Sequence, residues 1–183
     1  MRDDELMAAL ATGEAAALGE LYDRHARAVY AFALGLLRNT EAARDVVQET
    51  FIKVLLARGS YRPGGRFKAW LFAIARNTAR DAQRAQAREQ LSSEEEDLRF
   101  ETLPHAGPSP ADELAGRELA EVVARAVERL PEPFRESILL AKYAGLPYGE
   151  IARRQGVSVG TVKARVFRAV ARLRKSLARE VEL

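Results

Sequence analysis

The sequence predicts an all-α protein made of two small helical domains joined by a flexible acidic linker. Three observations predict it. Apolar residues recur at three-four spacing over most of the chain, the signature of helices with one buried face. Alternating β-branched runs are absent, so no sheet is expected. Breaks rich in Gly and Pro divide the helical stretches, and one of them is long and acidic. The boundaries that follow are 1–89 for the first domain, 90–111 for the linker and 112–183 for the second domain.

Residues from about 15 to 88 read as helical throughout. Leu18, Leu21, Tyr22, His25, Val29, Phe32 and Leu36 form the apolar stripe of the first long helix. Asn39-Thr40 interrupts it, and Thr40 is the expected cap of the next helix. That second helix carries Val47, Phe51, Val54 and Leu55 on one side. Gly59 to Gly65, with Pro63-Gly64-Gly65, is a loop. A third helix begins near Arg66 and aligns Phe67, Trp70, Leu71, Ile74, Thr78 and Ala82.

Between about Gln90 and Pro110 the composition changes. Ser92 to Asp97 is a charge run, and Pro104, Gly107, Pro108 and Pro110 follow. Such a segment buries too little apolar surface to order itself. Helical pattern resumes near Ala111 with Leu114, Leu119, Val122, Val123, Val127 and Leu130. Pro131-Glu-Pro133 ends that helix and starts one carrying Phe134, Ile138, Leu139 and Tyr143, which Gly145 closes.

The last segment reads as a helix, a tight turn and a second helix. Ile151 and Ala152 lie inside the first, and Gly156 supplies the left-handed turn residue. Ser158 is a natural N-cap. Val162, Val166 and Val170 then recur on one side, leaving Lys163, Arg165, Arg168 and Arg172 to face a polyanion. A helix of this kind fits the DNA major groove.

Composition narrows the chemistry. The chain of 183 residues contains no cysteine, which excludes disulfides, thiolate metal sites and thiol catalysis within it. His25 and His105 are its only imidazoles and lie far apart. No cofactor or metal is expected, and no catalytic constellation is visible. No apolar run is long enough to span a bilayer. The N-terminus is acidic rather than basic-then-apolar, so a cytoplasmic protein is expected.

The net charge of +3 conceals a strong segregation. From Arg58 to Arg88 eight basic residues stand against the single acid Asp81. From Ile151 to Arg179 nine basic residues meet no acid at all. Between them, Glu89 to Glu118 holds nine acids and only Arg99 and Arg117 as bases. Two positive surfaces flanking a negative connector predict two contacts with nucleic acid.

Two motifs carry a family resemblance. Asp45-Val-Val-Gln48-Glu49-Thr-Phe51, followed by Phe67-Lys-Ala-Trp70-Leu-Phe-Ala-Ile74-Ala75-Arg76-Asn77, resembles region 2 of bacterial RNA polymerase sigma factors. Leu130-Pro131, Glu150-Ile-Ala152 and Gly160-Thr-Val-Lys163 are similar to their region 4. Order, spacing and the absence of intermediate domains resemble the extracytoplasmic-function (ECF) group of the sigma-70 family. The resemblance implies a non-enzymatic factor that binds core RNA polymerase, directs it to promoters and assists DNA melting.

It also implies residue roles. Asp45, Gln48, Glu49 and Phe51 correspond to the part that binds the β′ coiled coil, although Val47 and Phe51 also suit a core. Tyr61, Arg62, Phe67, Trp70, Arg76, Asn77, Arg80 and Arg84 correspond to the part that captures the single-stranded −10 element. Unstacked bases need a pocket, and single-stranded phosphates need cations. Asn77 offers a base edge both a donor and an acceptor. Trp70 and Phe67 suit either core packing or base stacking.

Ser158, Thr161, Lys163, Arg165, Phe167, Arg168 and Arg172 correspond to the reader of duplex −35 DNA. Lys163 and Arg168 are the best placed for base edges, and Arg165 suits the backbone. Ala164 departs from the Ser common in relatives. Region 4 is further expected to meet the β flap of polymerase. An anti-sigma partner is a common feature of the group. The linker acids Glu94, Glu95, Glu96 and Asp97 are expected to mimic nucleic-acid charge inside a basic channel of polymerase.

Two other classes compete with this reading. An autonomous helix-turn-helix regulator resembling a response-regulator output protein needs only the C-terminal half. It predicts a strand-bearing receiver domain that the N-terminal half does not resemble. A DNA-processing enzyme requires a nucleophile with positioned acids, bases or metal ligands, and none is evident.

Overall fold

The computed structural model describes residues 1–64, 66–90 and 123–181, and among these all regular structure is helical. The N-terminal unit is a bundle of α1 (Asp3–Ala11), α2 (Ala16–Leu37), α3 (Thr40–Leu56) and α4 (Phe67–Gln90). A single 3-10 turn at Arg58–Ser60 leads from α3 toward α4. The second unit contains α5 (123–128), α6 (Glu132–Lys142), α7 (Tyr148–Gln155) and α8 (Val159–Val181). The linker acids Glu94 to Asp97, His105 and the apolar positions Leu114, Leu119 and Val122 lie outside the described residues.

Helix α1 was not among the expected elements. It is closed at its start by a capping box in which the Arg2 N–H donates to Glu5 Oε2 at 2.9 Å. Leu6, Met7 and Leu10 follow at helical spacing, and each is only 1% exposed. Helix α2 then runs through the middle of the bundle and contacts α1, α3 and α4. Leu21, His25, Val29, Phe32 and Leu36 are buried as expected. Tyr22 is not; it is 43% exposed and leans on Phe51 with ring centroids 4.9 Å apart.

The junction of α2 and α3 is short. Arg38 takes a left-handed conformation, φ 58°, and ends α2. Asn39, not Thr40, caps α3: its side chain accepts the Ala42 N–H at 2.9 Å. The reason is backbone geometry. Asn39 has the extended φ and ψ an N-cap requires, whereas Thr40 is already helical.

Helices α3 and α4 are buried on more than one side. Beside the expected Val47, Phe51 and Val54, α3 buries Val46; beside Phe67 and Leu71, α4 buries Phe72, Ala75 and Ala79. Phe72 meets Phe32 edge-on at 5.5 Å, which joins α2 to α4. Truncating either ring to Ala leaves a cavity and costs about 3–5 kcal/mol.

In the second unit, Pro131 and Pro133 stand at the start of α6, where missing N–H groups cost nothing. Gly145 and Gly156 take φ 60° and 66°, so each closes a helix in a conformation that a side chain resists. Leu139, Leu140, Ile151, Val162 and Ala169 form the core between α6, α7 and α8. The units also touch one another through α2 and α6. Gly35 makes that approach close, since a Cβ there would lie 2.8 Å from Leu139 Cδ1.

Candidate nucleic-acid interface

The loop between α3 and α4 forms one wall of an open groove of about 630 Å³. Tyr61, Arg62, Pro63, Gly64, Arg66 and Trp70 line it from the first unit. Three aromatic rings set its shape. Tyr61 lies 5.1 Å from Trp70 and 5.9 Å from Phe67, centroid to centroid. Tyr61 and Trp70 are half-buried and border the groove, whereas Phe67 is 2% exposed and rests against His25 at 5.2 Å. Phe67 therefore supports the two outer rings from beneath, and its own ring has no face open to a base.

The opposite wall comes from α7. Glu150, Arg153 and Arg154 line it, so the groove carries Arg62 and Arg66 on one side and Arg153 and Arg154 on the other. Glu150 is bonded to Arg153 and lies 2.9 Å from Arg154; those contacts hold its carboxyl below the usual range. Arg153 and Arg154 stood out in the sequence only as part of a charge run. Their position across from the loop depends on the meeting of the two units, which no local pattern encodes.

On α4, Asn77 is exposed. Arg76, Arg80 and Arg84 follow at four-residue spacing and share one face. That face is occupied from within. Arg76 Nε is bonded to Glu136 of α6, and Arg80 Nη2 lies 3.3 Å from the other oxygen of the same carboxylate. Arg84 pairs instead with Asp81 at 3.3 Å, well exposed to solvent. Near the same junction Arg38 donates to the backbone carbonyl of Glu128, which also accepts from Arg135 at 3.1 Å.

On α3, Asp45, Gln48 and Glu49 are exposed and line a shallow depression of about 390 Å³ with Ile52. Ile52 is 51% exposed and Leu56 is 74% exposed. These two apolar side chains continue the acidic face by one further turn each. Helical spacing from Asp45 and Glu49 reaches both, whereas the apolar period of α3 marks only its buried side. Phe51 is 4% exposed and belongs to the core, packed under Tyr22.

The helix-turn-helix has the local geometry expected of it. Ser158 Oγ accepts the Thr161 N–H at 3.1 Å and lies 2.9 Å from the Thr161 hydroxyl. Both hydroxyls are thus engaged at the start of α8. Lys163, Phe167, Arg168 and Arg172 are exposed, and Phe167 is 76% exposed. Arg165 is half-buried and donates to Gln155 Oε1 at 2.9 Å, which ties it to α7. The Arg172 guanidinium lies 5.2 Å above the Phe134 ring.

Among the described residues no cluster of three or more His, Cys, Asp or Glu side chains could hold a metal ion, and no helix is long and apolar enough to cross a membrane.

Comparison with known proteins places both halves. The sigma-70 region 2 family matches residues 21–89, and the sigma-70 region 4 family matches residues 120–173. The chain is 36% identical to the RNA polymerase sigma factor CarQ of Myxococcus xanthus over 91% of its own length and 92% of that protein. It is 40% identical to the ECF RNA polymerase sigma-E factor of Escherichia coli, covering 68% of each. Among solved structures, it resembles CnrH in complex with the cytosolic domain of CnrY at a TM-score of 0.65, with 30% identity over 96% of this chain and 97% of that one. It also resembles the sigma factor RpoE in complex with the anti-sigma factor NepR from Bartonella quintana, at a TM-score of 0.72 and 30% identity over 87% and 96% of the two chains. This family is one of non-enzymatic transcription initiation factors. With both regions matched in order and joined within one short chain, the protein belongs to the ECF group of the sigma-70 family and is an alternative sigma factor.

Proposed function

We propose that the chain attaches core RNA polymerase to promoters through three separate surfaces. The exposed face of α3, with Asp45, Gln48, Glu49 and Ile52, docks on the β′ coiled coil. Charge-assisted bonds from the acids and burial of Ile52 and Leu56 supply affinity there. Phe51 keeps that helix seated in the bundle rather than touching the partner.

The groove beside Tyr61 and Trp70 receives an unstacked base of the −10 element. Tyr61 and Trp70 offer stacking surface, Asn77 offers a base edge both donor and acceptor, and Arg62 and Arg66 hold phosphates. Arg76, Arg80 and Arg84 extend the cationic track along α4. The α8 surface of Lys163, Phe167 and Arg168 reads duplex DNA at −35, with Ser158, Thr161 and Arg172 toward the backbone. Region 4 also meets the β flap, and an anti-sigma factor is a further partner. The working boundaries are 1–89 and 112–183, with 90–111 passing through polymerase.

The observation that carries this reading is the groove, in which aromatic rings and arginines border one concave surface. A binder of duplex DNA alone has no need of such a pocket. Run-off transcription with core polymerase, with sequencing of transcript starts, tests it. Initiation from a defined promoter set is expected; absence of any promoter-specific transcript despite binding to core enzyme would overturn the reading.

A further inference from the structure

Helix α1 lies outside both segments that match the sigma-factor families, yet it reaches the loop that borders the groove. Two neighbouring carboxylates divide its work. Asp3 faces α2: its oxygens lie 2.9 Å from His25 Nε2 and 3.1 Å from Arg24 Nη1. Asp4 faces the loop. One oxygen accepts from the Tyr61 hydroxyl, and the other accepts the Gly64 N–H at 3.0 Å.

This is a bidentate clasp on two points three residues apart in a short loop. It acts where the backbone is least able to hold itself. Gly64 has φ 149°, a conformation other residues rarely adopt, and the described residues 61–63 before it belong to no helix. The anchor behind the clasp is firm, because Leu6, Met7 and Leu10 lock α1 into the core. The Tyr61 ring in turn sits 5.1 Å from Trp70, so fixing its hydroxyl fixes the aromatic wall of the groove. Burial and the Asp4 contact both push the Tyr61 hydroxyl's pKa upward, so it remains a donor throughout the working pH range.

We propose that Asp4 is a positioning residue for promoter melting: it pre-sets the Tyr61–Gly64 loop so that the groove is already formed when a −10 base leaves the duplex. A loop ordered in advance loses less conformational entropy at the moment of capture. This role rests on the proposed reading of the groove as the −10 site. Asp4 touches no base itself; it acts through Tyr61 and Gly64.

The test uses the full chain with core polymerase and a promoter carrying a fluorescent base in the −10 element. Asp4→Ala is expected to slow open-complex formation roughly tenfold, as for loss of a charge-assisted contact in the rate-setting step. Asp4→Asn keeps one acceptor oxygen and is expected to fall between Asp4→Ala and the native chain. The double variant Asp4→Ala/Tyr61→Phe is expected to be no slower than Asp4→Ala, because the two groups act through one contact. Polymerase affinity, closed-complex affinity and Tm are expected to stay unchanged. Normal melting by Asp4→Ala overturns the proposal while leaving the groove reading intact. So does a loss of Tm that accounts for the defect, or additive effects in the double variant. Failure of the native chain to melt any promoter would instead overturn the groove reading itself.

Discussion

Arg76 of α4 and Glu136 of α6 form an ion pair that joins the two helical units, with side chains only 13% and 6% exposed. Arg80 approaches the same carboxylate. Two arginines proposed to follow single-stranded phosphates are thus held by a carboxylate of the chain's own second unit. A phosphate that takes Arg76 must first displace Glu136, and the Leu139–Gly35 contact lies at the same junction. In the proposed reading, a phosphate and Glu136 thus compete for Arg76.

Replacing Glu136 with Gln tests that competition. Removing the charge leaves Arg76 and Arg80 without their carboxylate, and opening returns both to water or to DNA. The free protein is expected to become larger by small-angle scattering and to bind single-stranded −10 DNA several-fold more tightly. Arg76→Ala breaks the same pair from the other side and leaves Glu136 buried with only Arg80. It is expected to lower stability by about 1–3 kcal/mol in urea unfolding. An unchanged radius and unchanged DNA affinity in Glu136→Gln would show that the pair does not restrain the units.

His25 makes stability depend on pH. Burial lowers its pKa more than Asp3 raises it, and Lys68 and Arg24 add to the lowering. The unfolded chain then takes up a proton near the ordinary value of about 6.5 before the folded chain does. The contribution of neutral His25 is thus fully present above about pH 6.5 and is lost as pH falls toward the depressed folded value. Thermal unfolding of the native chain and His25→Asn across that interval measures it. The gap in Tm between them is expected to narrow on the acid side; a gap that widens would refute the sign.

The exposed face of α3 separates binding from folding. Asp45→Arg and Ile52→Asp alter side chains that solvent already reaches, so each is expected to change stability by less than about 0.5 kcal/mol. Each places a wrong charge, or a desolvated one, at the proposed polymerase contact. Pull-down with core enzyme is expected to show loss of at least tenfold in association. Retained association with Asp45→Arg would move the contact off this face.

Much of the fold was legible because α2 and α8 each show one periodic stripe. His25, Val29 and Phe32 on the one, and Val162 on the other, could be assigned from spacing alone. Central helices hide part of their burial: α3 and α4 pack on several neighbours, so Val46 and Phe72 fall off any single stripe. Helix α1 leaves little periodic signal because its nine residues hold only three large apolar side chains behind an acidic start. The site divided along the same line. Ser158, Gly156 and the exposed Lys163 and Arg168 follow from local pattern. The Arg76–Glu136 pair and the Asp4 clasp join positions about sixty residues apart, and nothing nearby in sequence signals either one.

The surface of α8 allows base reading to be distinguished from phosphate binding. Lys163 and Arg168 are exposed, and both are proposed to meet base edges. Alanine at either is expected to cost about 1–3 kcal/mol at the preferred −35 duplex and much less on random DNA. Arg165 differs because Gln155 already engages its guanidinium. Arg165→Ala is expected to weaken promoter and random DNA alike, with a shallower salt dependence by about one phosphate contact. Phe167 gives the sharpest case. Its ring is exposed and offers a base edge no hydrogen bond, so in the proposed reading a thymine methyl is the matching partner. Phe167→Ala is therefore expected to reduce affinity for −35 duplexes in which one particular thymine is present, and to leave those with uracil at that place unaffected. Equal losses on both duplexes, measured by fluorescence anisotropy at fixed salt, would remove Phe167 from base recognition.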